Sequence, residues 1–293
     1  MTGRILVLLA AFLWSTSGLF AKSPALAEIP QDDRAVCLTF WRAVFACLMV
    51  VFFIRRWTFD WRMLPMAACF AIMTWSFISA LVHIEAALAI WLQYVAPAWV
   101  VIFSWLFFRE SPDATSRPML AFAVVGLGII LVAQFLAIEQ FSAWGISAAI
   151  ISGVTFAGVV IFLRRLKDCD ALLLVFVNQA VTAGLLAPLA LTGYVPHDIQ
   201  WLYLAGFGVF QMGLPYLLFA LALRKISSHE ASGLGMLEPI LVPVWVYLAW
   251  GSQPDYQPPD LGTLVGGGLI LGGLVLQLSL HARRSWSQTK VAK

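Results

Sequence analysis

Two charged side chains stand where charge is costly. Arg42 interrupts the apolar run CLTFWRAVFACLMVVFF at 37–53, and Glu238 interrupts GMLEPILVPVWVYLAWG at 235–251. A charge at the centre of a membrane span costs about 2.5–3.5 kcal/mol on insertion scales. Arg42 has two readings in such a position. It faces a central cavity and binds a carboxylate or another anionic group, or it snorkels outward and locks helices through backbone carbonyls. Glu238 likewise either serves proton coupling or a substrate ammonium, or is a protonated acid bonded to a neighbouring helix. Counted at ~1.5 Å per residue from the span ends given below, Arg42 lies roughly 10 Å and Glu238 roughly 18 Å from one common face. The gap of about 8 Å suits a small zwitterion held at both ends, and it equally suits a direct Arg–Glu pair.

Other polar and aromatic groups fall at similar depth. Glu238 immediately precedes Pro239, Pro243 follows a turn later, and Gln93 and Tyr94 precede Pro97 by a turn. Each proline removes an N–H and frees a carbonyl one turn back, so Pro97, Pro239 and Pro243 are expected at helix breaks with a gating role. Trp14 and Trp75, with Trp41 and Trp99, lie within spans rather than at their edges. A cavity lined by aromatics and a few polar groups is the common form of a small-molecule site. Asn178 and Gln179 line that cavity from the second half or bond between helices. Gln211 and Tyr216, around Pro215, are weaker candidates of the same type.

The elements that must position these residues are membrane helices. The 293 residues are 61% hydrophobic and 11% charged, far from the roughly 25% charge of a soluble domain. Apolar runs of about 20 residues are needed to span. Ten are found, at 4–21, 35–54, 63–82, 86–108, 118–137, 143–163, 171–191, 199–223, 231–250 and 261–281. The fold expected is all-α, because open strand edges are not tolerated in lipid. The first run, with Arg4 before it and Ala25-Leu26-Ala27 after it, imitates a cleaved secretory signal. It is read as a retained helix because the repeat below requires it.

Basic residues orient the chain. With the N-terminus cytoplasmic, only Lys22 and Arg34 of the 18 Lys and Arg fall in outside loops, and only Arg42 falls within a span. Both termini are therefore expected inside, with a basic cytoplasmic tail at 282–293. Shifted by 142 residues, 77–127 aligns with 219–269 without a gap and with 13 identities in 51 positions. Pro97 meets Pro239, and Pro112-Asp113 meets Pro254-Asp255. The halves, 1–137 and 143–281, then have five helices each. An odd number inverts the second copy, and inverted repeats let one fold present two alternating openings.

The stretches FWRAVFA at 40–46, EAALAIWLQYVAP at 85–97, FFRE at 107–110 and GMLEPILVPVWVYLAWG at 235–251 resemble the drug/metabolite transporter superfamily, specifically EamA-like permeases. The resemblance spans essentially the whole chain. It implies a transporter of amino acids or related metabolites in a cytoplasmic membrane. It also implies a Glu ending the ninth helix, as Glu110 ends the fourth; Ser252 stands there instead.

Composition and motifs exclude other classes. The net charge of +3 is too small and dispersed for nucleic acid. No nucleotide-binding motif supplies ATP drive, so a proton gradient or substrate exchange is the expected energy source, with no cofactor. The histidines His83, His197, His229 and His281 all lie at span ends, which argues against intramembrane catalysis. Cys37, Cys47, Cys69 and Cys169 form no CxxC pair and read as small hydrophobes, not as metal ligands. A secondary exporter or exchanger of a small polar metabolite is the leading expectation. A non-transporting membrane sensor or scaffold is the alternative. The tenth span has Gly262-x-x-x-Gly266 and Gly268-x-x-x-Gly272, close-packing signals for internal contacts or a homodimer.

Overall fold

In the computed structural model, the residues described are 2–109, 116–136, 142–226, 231, 234–254 and 256–291, the side chains of Phe108 and 283–291 excepted. Glu110, Pro112, Asp113, His229 and Asp255, and the side chains of the basic tail, lie outside them. All regular structure among the described residues is helical.

The first apolar run is broken. Helix α1 (Thr2–Trp14) stops at Ser15–Thr16 and α2 (Ser17–Ala21) resumes. Both hydroxyls bond back, Ser15 Oγ to the Phe12 carbonyl and Thr16 Oγ1 to the Leu13 carbonyl, each at 2.6 Å. Such back-bonding competes with the helical ladder and bends it. A short α3 (Pro24–Ala27) leads to α4 (Gln31–Val50), whose first turn holds Asp32 and Asp33 against the positive end of the helix dipole. A 3₁₀ turn at Val51–Phe53 ends it.

Helix α5 (Met63–His83) is followed by α6 (Ala86–Gln93) and α7 (Ala96–Phe108), which are one expected span broken at Tyr94–Val95. Pro97 sits in the first turn of α7, where its missing N–H costs little. Then come α8 (Ser116–Leu136), α9 (Ala143–Arg165) and α10 (Ala171–Thr192). Asp170 caps α10 by accepting from the Leu172 and Leu173 N–H groups. The next span is α11 (Ile199–Gly208), a π-turn at Val209–Gly213, and α12 (Leu214–Ala222). Helix α13 (Leu237–Trp250) starts two residues before Pro239, at the position that mirrors the α6–α7 break. Pro243 lies inside α13 without breaking it, although a break was expected there. Pro243 lacks the N–H that would bond the Pro239 carbonyl one turn back, and that carbonyl accepts instead from Trp91 Nε1 at 3.0 Å. The last helix, α14 (Leu261–Val291), continues helical beyond the expected span end at 281.

Nine helical stretches among the described residues are long and apolar enough to cross a membrane, and Leu237–Trp250 is a shorter apolar one. The expected span 231–250 overlaps this helix, but 232 and 233 lie outside the described residues. The core is layered through the bundle. Helix α5 packs closely on α9, α8 on α14, and α4 on α10. Small residues set these approaches. A Cβ at Gly126 would press to 2.5 Å on the Gly266 carbonyl, and the reverse also holds. A Cβ at Gly267 would overlap the Trp91 ring. The Gly262–Gly266 face is thus spent inside the chain, while Gly268 and Gly272 meet nothing within 4 Å.

Candidate functional site

Helix α4 delivers Arg42 to the centre of the bundle, where it is 1% exposed. Its Nη1 donates to Gln211 Oε1 at 3.3 Å and its Nη2 to Thr74 Oγ1 on α5. The guanidinium carbon lies 4.9 Å from the centroid of the Phe207 ring, within cation–π range. Nε is buried without a hydrogen-bond partner. No carboxylate among the described residues pairs with this cation.

Gln211 reaches Arg42 because the chain is bulged there. The π-turn adds a residue to the helical path, a device frequent at functional sites. Gly208 lets the same segment approach α4, since a Cβ there would stand 2.5 Å from Phe45 Cβ and 2.7 Å from the Arg42 carbonyl. From this position Gln211 Nε2 also donates to the Trp14 carbonyl at 3.1 Å, an acceptor released by the α1–α2 break. The Trp14 ring meets Tyr216 edge-on at 5.1 Å.

Glu238 lies in the first turn of α13, where the helix dipole favours a negative charge. Tyr94, at the α6–α7 break, donates its hydroxyl to Glu238 Oε2 at 2.9 Å. Trp91 Nε1 donates to the Pro239 carbonyl at 3.0 Å, holding the two broken spans together. Tyr216 on α12 is within electrostatic reach of both Arg42 and Glu238. Tyr94, Tyr216 and Glu238 are each half-buried. The arrangement offers a buried cation, a carboxyl with a phenol hydroxyl bonded to it, and a second phenol near both.

Of the residues expected from sequence, Arg42, Glu238, Tyr94, Trp14, Pro97 and Pro239 are gathered here, as are the weaker candidates Gln211 and Tyr216. Gln93 is turned the other way and donates to Ser152 Oγ on α9 at 2.5 Å. Trp75 packs edge-on against Trp144 at 6.0 Å, with its Nε1 unpartnered. Asn178 and Gln179 are buried on α10, which packs on α4 and α5, and their Oδ1 and Nε2 have no partner. Thr74 and Phe207 were missed. A threonine or phenylalanine in an apolar span has no signal of its own, although the 142-residue offset pairs Thr74 with Tyr216. Ser252, where a Glu was expected, is exposed at the turn after α13.

Family comparison accounts for this architecture. The family described as "EamA-like transporter family" matches residues 1–134 and again 143–279. The chain belongs to the EamA-like transporter family. An "Uncharacterized transporter" of Archaeoglobus fulgidus is 26% identical over 278 residues, covering 94% of this chain and 95% of that one. The "Pseudopaline exporter CntI" of Pseudomonas aeruginosa is 26% identical over 284 residues, covering 92% and 93%. A solved crystal structure superposes with a TM-score of 0.63 at 20% identity, over 96% of this chain and 98% of the other, and shares the fold. The EamA family lies within the drug/metabolite transporter superfamily. The protein is accordingly a multi-pass membrane transporter and not an enzyme.

Proposed function

We propose that this EamA transporter is a secondary exporter or exchanger of a small zwitterionic metabolite, an amino acid or related compound, across the cytoplasmic membrane. The observation that carries the reading is the separation of Arg42 from Glu238, with Tyr216 in reach of both and no ion pair closing the gap. A substrate carboxylate completes the donors of Arg42, and its ammonium meets Glu238. The relative named as a pseudopaline exporter supports the outward direction. Movement is by alternating access between two inverted five-helix halves, ten spans in all, with both termini cytoplasmic. Glu238 is the group through which a proton couples to transport. A homodimer would use the open Gly268–Gly272 face of α14, and mass measurement in detergent reads it.

The test is untargeted mass spectrometry of extracellular metabolites from cells expressing the wild type, Arg42→Gln or Glu238→Gln at matched membrane abundance. Compounds that accumulate outside with the wild type and with neither variant support export through this site. Three identical profiles, equal to cells without the protein, reject export and favour a sensor.

A further inference from the structure

Away from this site, the segment FFIRRWTFDW at 52–61 is unlike any other loop of the chain. It leaves α4 through the 3₁₀ turn and runs without regular structure from Ile54 to Asp60. Phe52 is 82% exposed, Phe59 and Trp61 are each 70% exposed, and Trp57 is 61% exposed. Arg55 and Arg56 are exposed between them and make no hydrogen bond or ion pair among the described residues. The backbone N–H groups from Arg55 to Trp61 likewise take no partner there. Exposed rings, bare guanidinia and bare amides on one short segment need a partner that is apolar and phosphate-bearing at once.

The segment is anchored at two points. Ile54 packs with Met63, Met66, Leu166 and Cys169 in one cluster, and Trp57 meets Phe176 of α10 edge-on at 5.4 Å. This brings it beside the α9–α10 turn, where Arg164, Arg165 and Lys167 are exposed. The acids nearby are mostly committed. Asp60 is bound by Arg62, with Nη2 2.5 Å from Oδ2, which holds the carboxyl down at about 2. Asp170 caps α10. Asp168 is left, beside Arg55, Arg56, Arg164 and Lys167.

We propose that this face is a binding site for an anionic phospholipid. The acyl boundary takes Phe52, Trp57, Phe59 and Trp61. The headgroup phosphate takes Arg55, Arg56 and the adjoining N–H groups. Aromatic rings settle at the membrane interface, and basic residues flanking a span attract anionic headgroups. Charge complementarity selects this occupant, and a segment that emerges directly from a span lies at headgroup depth whatever else surrounds the protein. The site does not depend on the transport reading, and its test reads lipid rather than export.

Purified full-length protein is equilibrated with mixed micelles of equal phosphatidylglycerol and phosphatidylcholine, and the retained lipid is quantified by mass spectrometry. Wild type is expected to retain phosphatidylglycerol about thirtyfold over phosphatidylcholine, since two basic contacts at an anionic surface are worth about 1 kcal/mol each. R55Q/R56Q is expected to lose most of that preference, whereas R224Q/K225Q, elsewhere on the basic face, keeps it. Melting in phosphatidylcholine alone reports whether R55Q/R56Q is folded, and R55K/R56K supplies a second variant that restores the charge and most of the preference. No preference in wild type, an equal loss in R224Q/K225Q, or equal occupancy by inorganic phosphate overturns the proposal.

Discussion

Tyr94 and Tyr216 approach the Glu238 carboxyl from separate spans, and only Tyr94 bonds to it directly. A hydrogen bond to a charged group is worth about 1.5–3 kcal/mol. Tyr94→Phe is therefore expected to slow export by roughly 10- to 100-fold while membrane abundance is unchanged, as initial rates on the substrate found by metabolite profiling will show. A second expectation concerns Glu85, between the spans. Burial first, and then the charge of Asp260, push its carboxyl up from the usual 4.5 to about 7; the Thr263 hydroxyl and Lys22 pull the other way. The folded protein therefore holds a proton that the unfolded chain releases earlier. Its contribution is full below about pH 4.5 and is lost as pH rises to about 7. Melting temperature should fall across that window, and Glu85→Gln should flatten the fall. Arg42 and Glu238 were legible in the sequence because a charge in an apolar run needs no context. The turn of Gln93 towards Ser152 was not, since a helix apolar on every side gives no period from which to read a face.

At the scale of elements, breaks and close approaches position the site. Prolines announced the break before Pro97 and the start of α13. The break at Ser15–Thr16 and the π-turn at Val209–Gly213 were not announced, because the first depends on hydroxyl back-bonding and the second on packing against α4. Gln211 joins these two irregularities through Arg42 and the Trp14 carbonyl. Gln211→Leu leaves both buried groups without their partner and should destabilise the protein by about 1–3 kcal/mol, measured by thermal unfolding in detergent. The tight fit of α14 gives a paired control. Gly267→Ala forces a methyl into the Trp91 ring and should cost about 1–3 kcal/mol, whereas Gly268→Ala, facing open space, should leave the melting temperature unchanged.

For the whole molecule, hydropathy located nine of the ten expected spans within a few residues among the described residues, since a span is fixed by length and composition. How the spans tilt and which faces meet was not readable, because lipid and core are equally apolar. The orientation proposed from Lys and Arg placement makes a direct prediction. In a background with Cys37, Cys47, Cys69 and Cys169 replaced, a membrane-impermeant maleimide should label Glu28→Cys on intact cells. It should label Thr58→Cys only after permeabilisation. The reverse pattern would overturn the orientation.

Helix α2 has five residues and is about 7.5 Å long. Trp245 and Trp250 clip it, donating to Ser15 Oγ at 2.8 Å and to the Leu19 carbonyl at 2.9 Å. Hinged at Ser15–Thr16, a lever of that length swung through about 20° moves its tip by only about 2.6 Å, roughly the width of one water. α2 alone is therefore too short a flap to admit a metabolite. In the proposed alternating access, opening past it carries α13 and its tryptophans along, a collective motion on the microsecond-to-millisecond scale rather than a loop flicker.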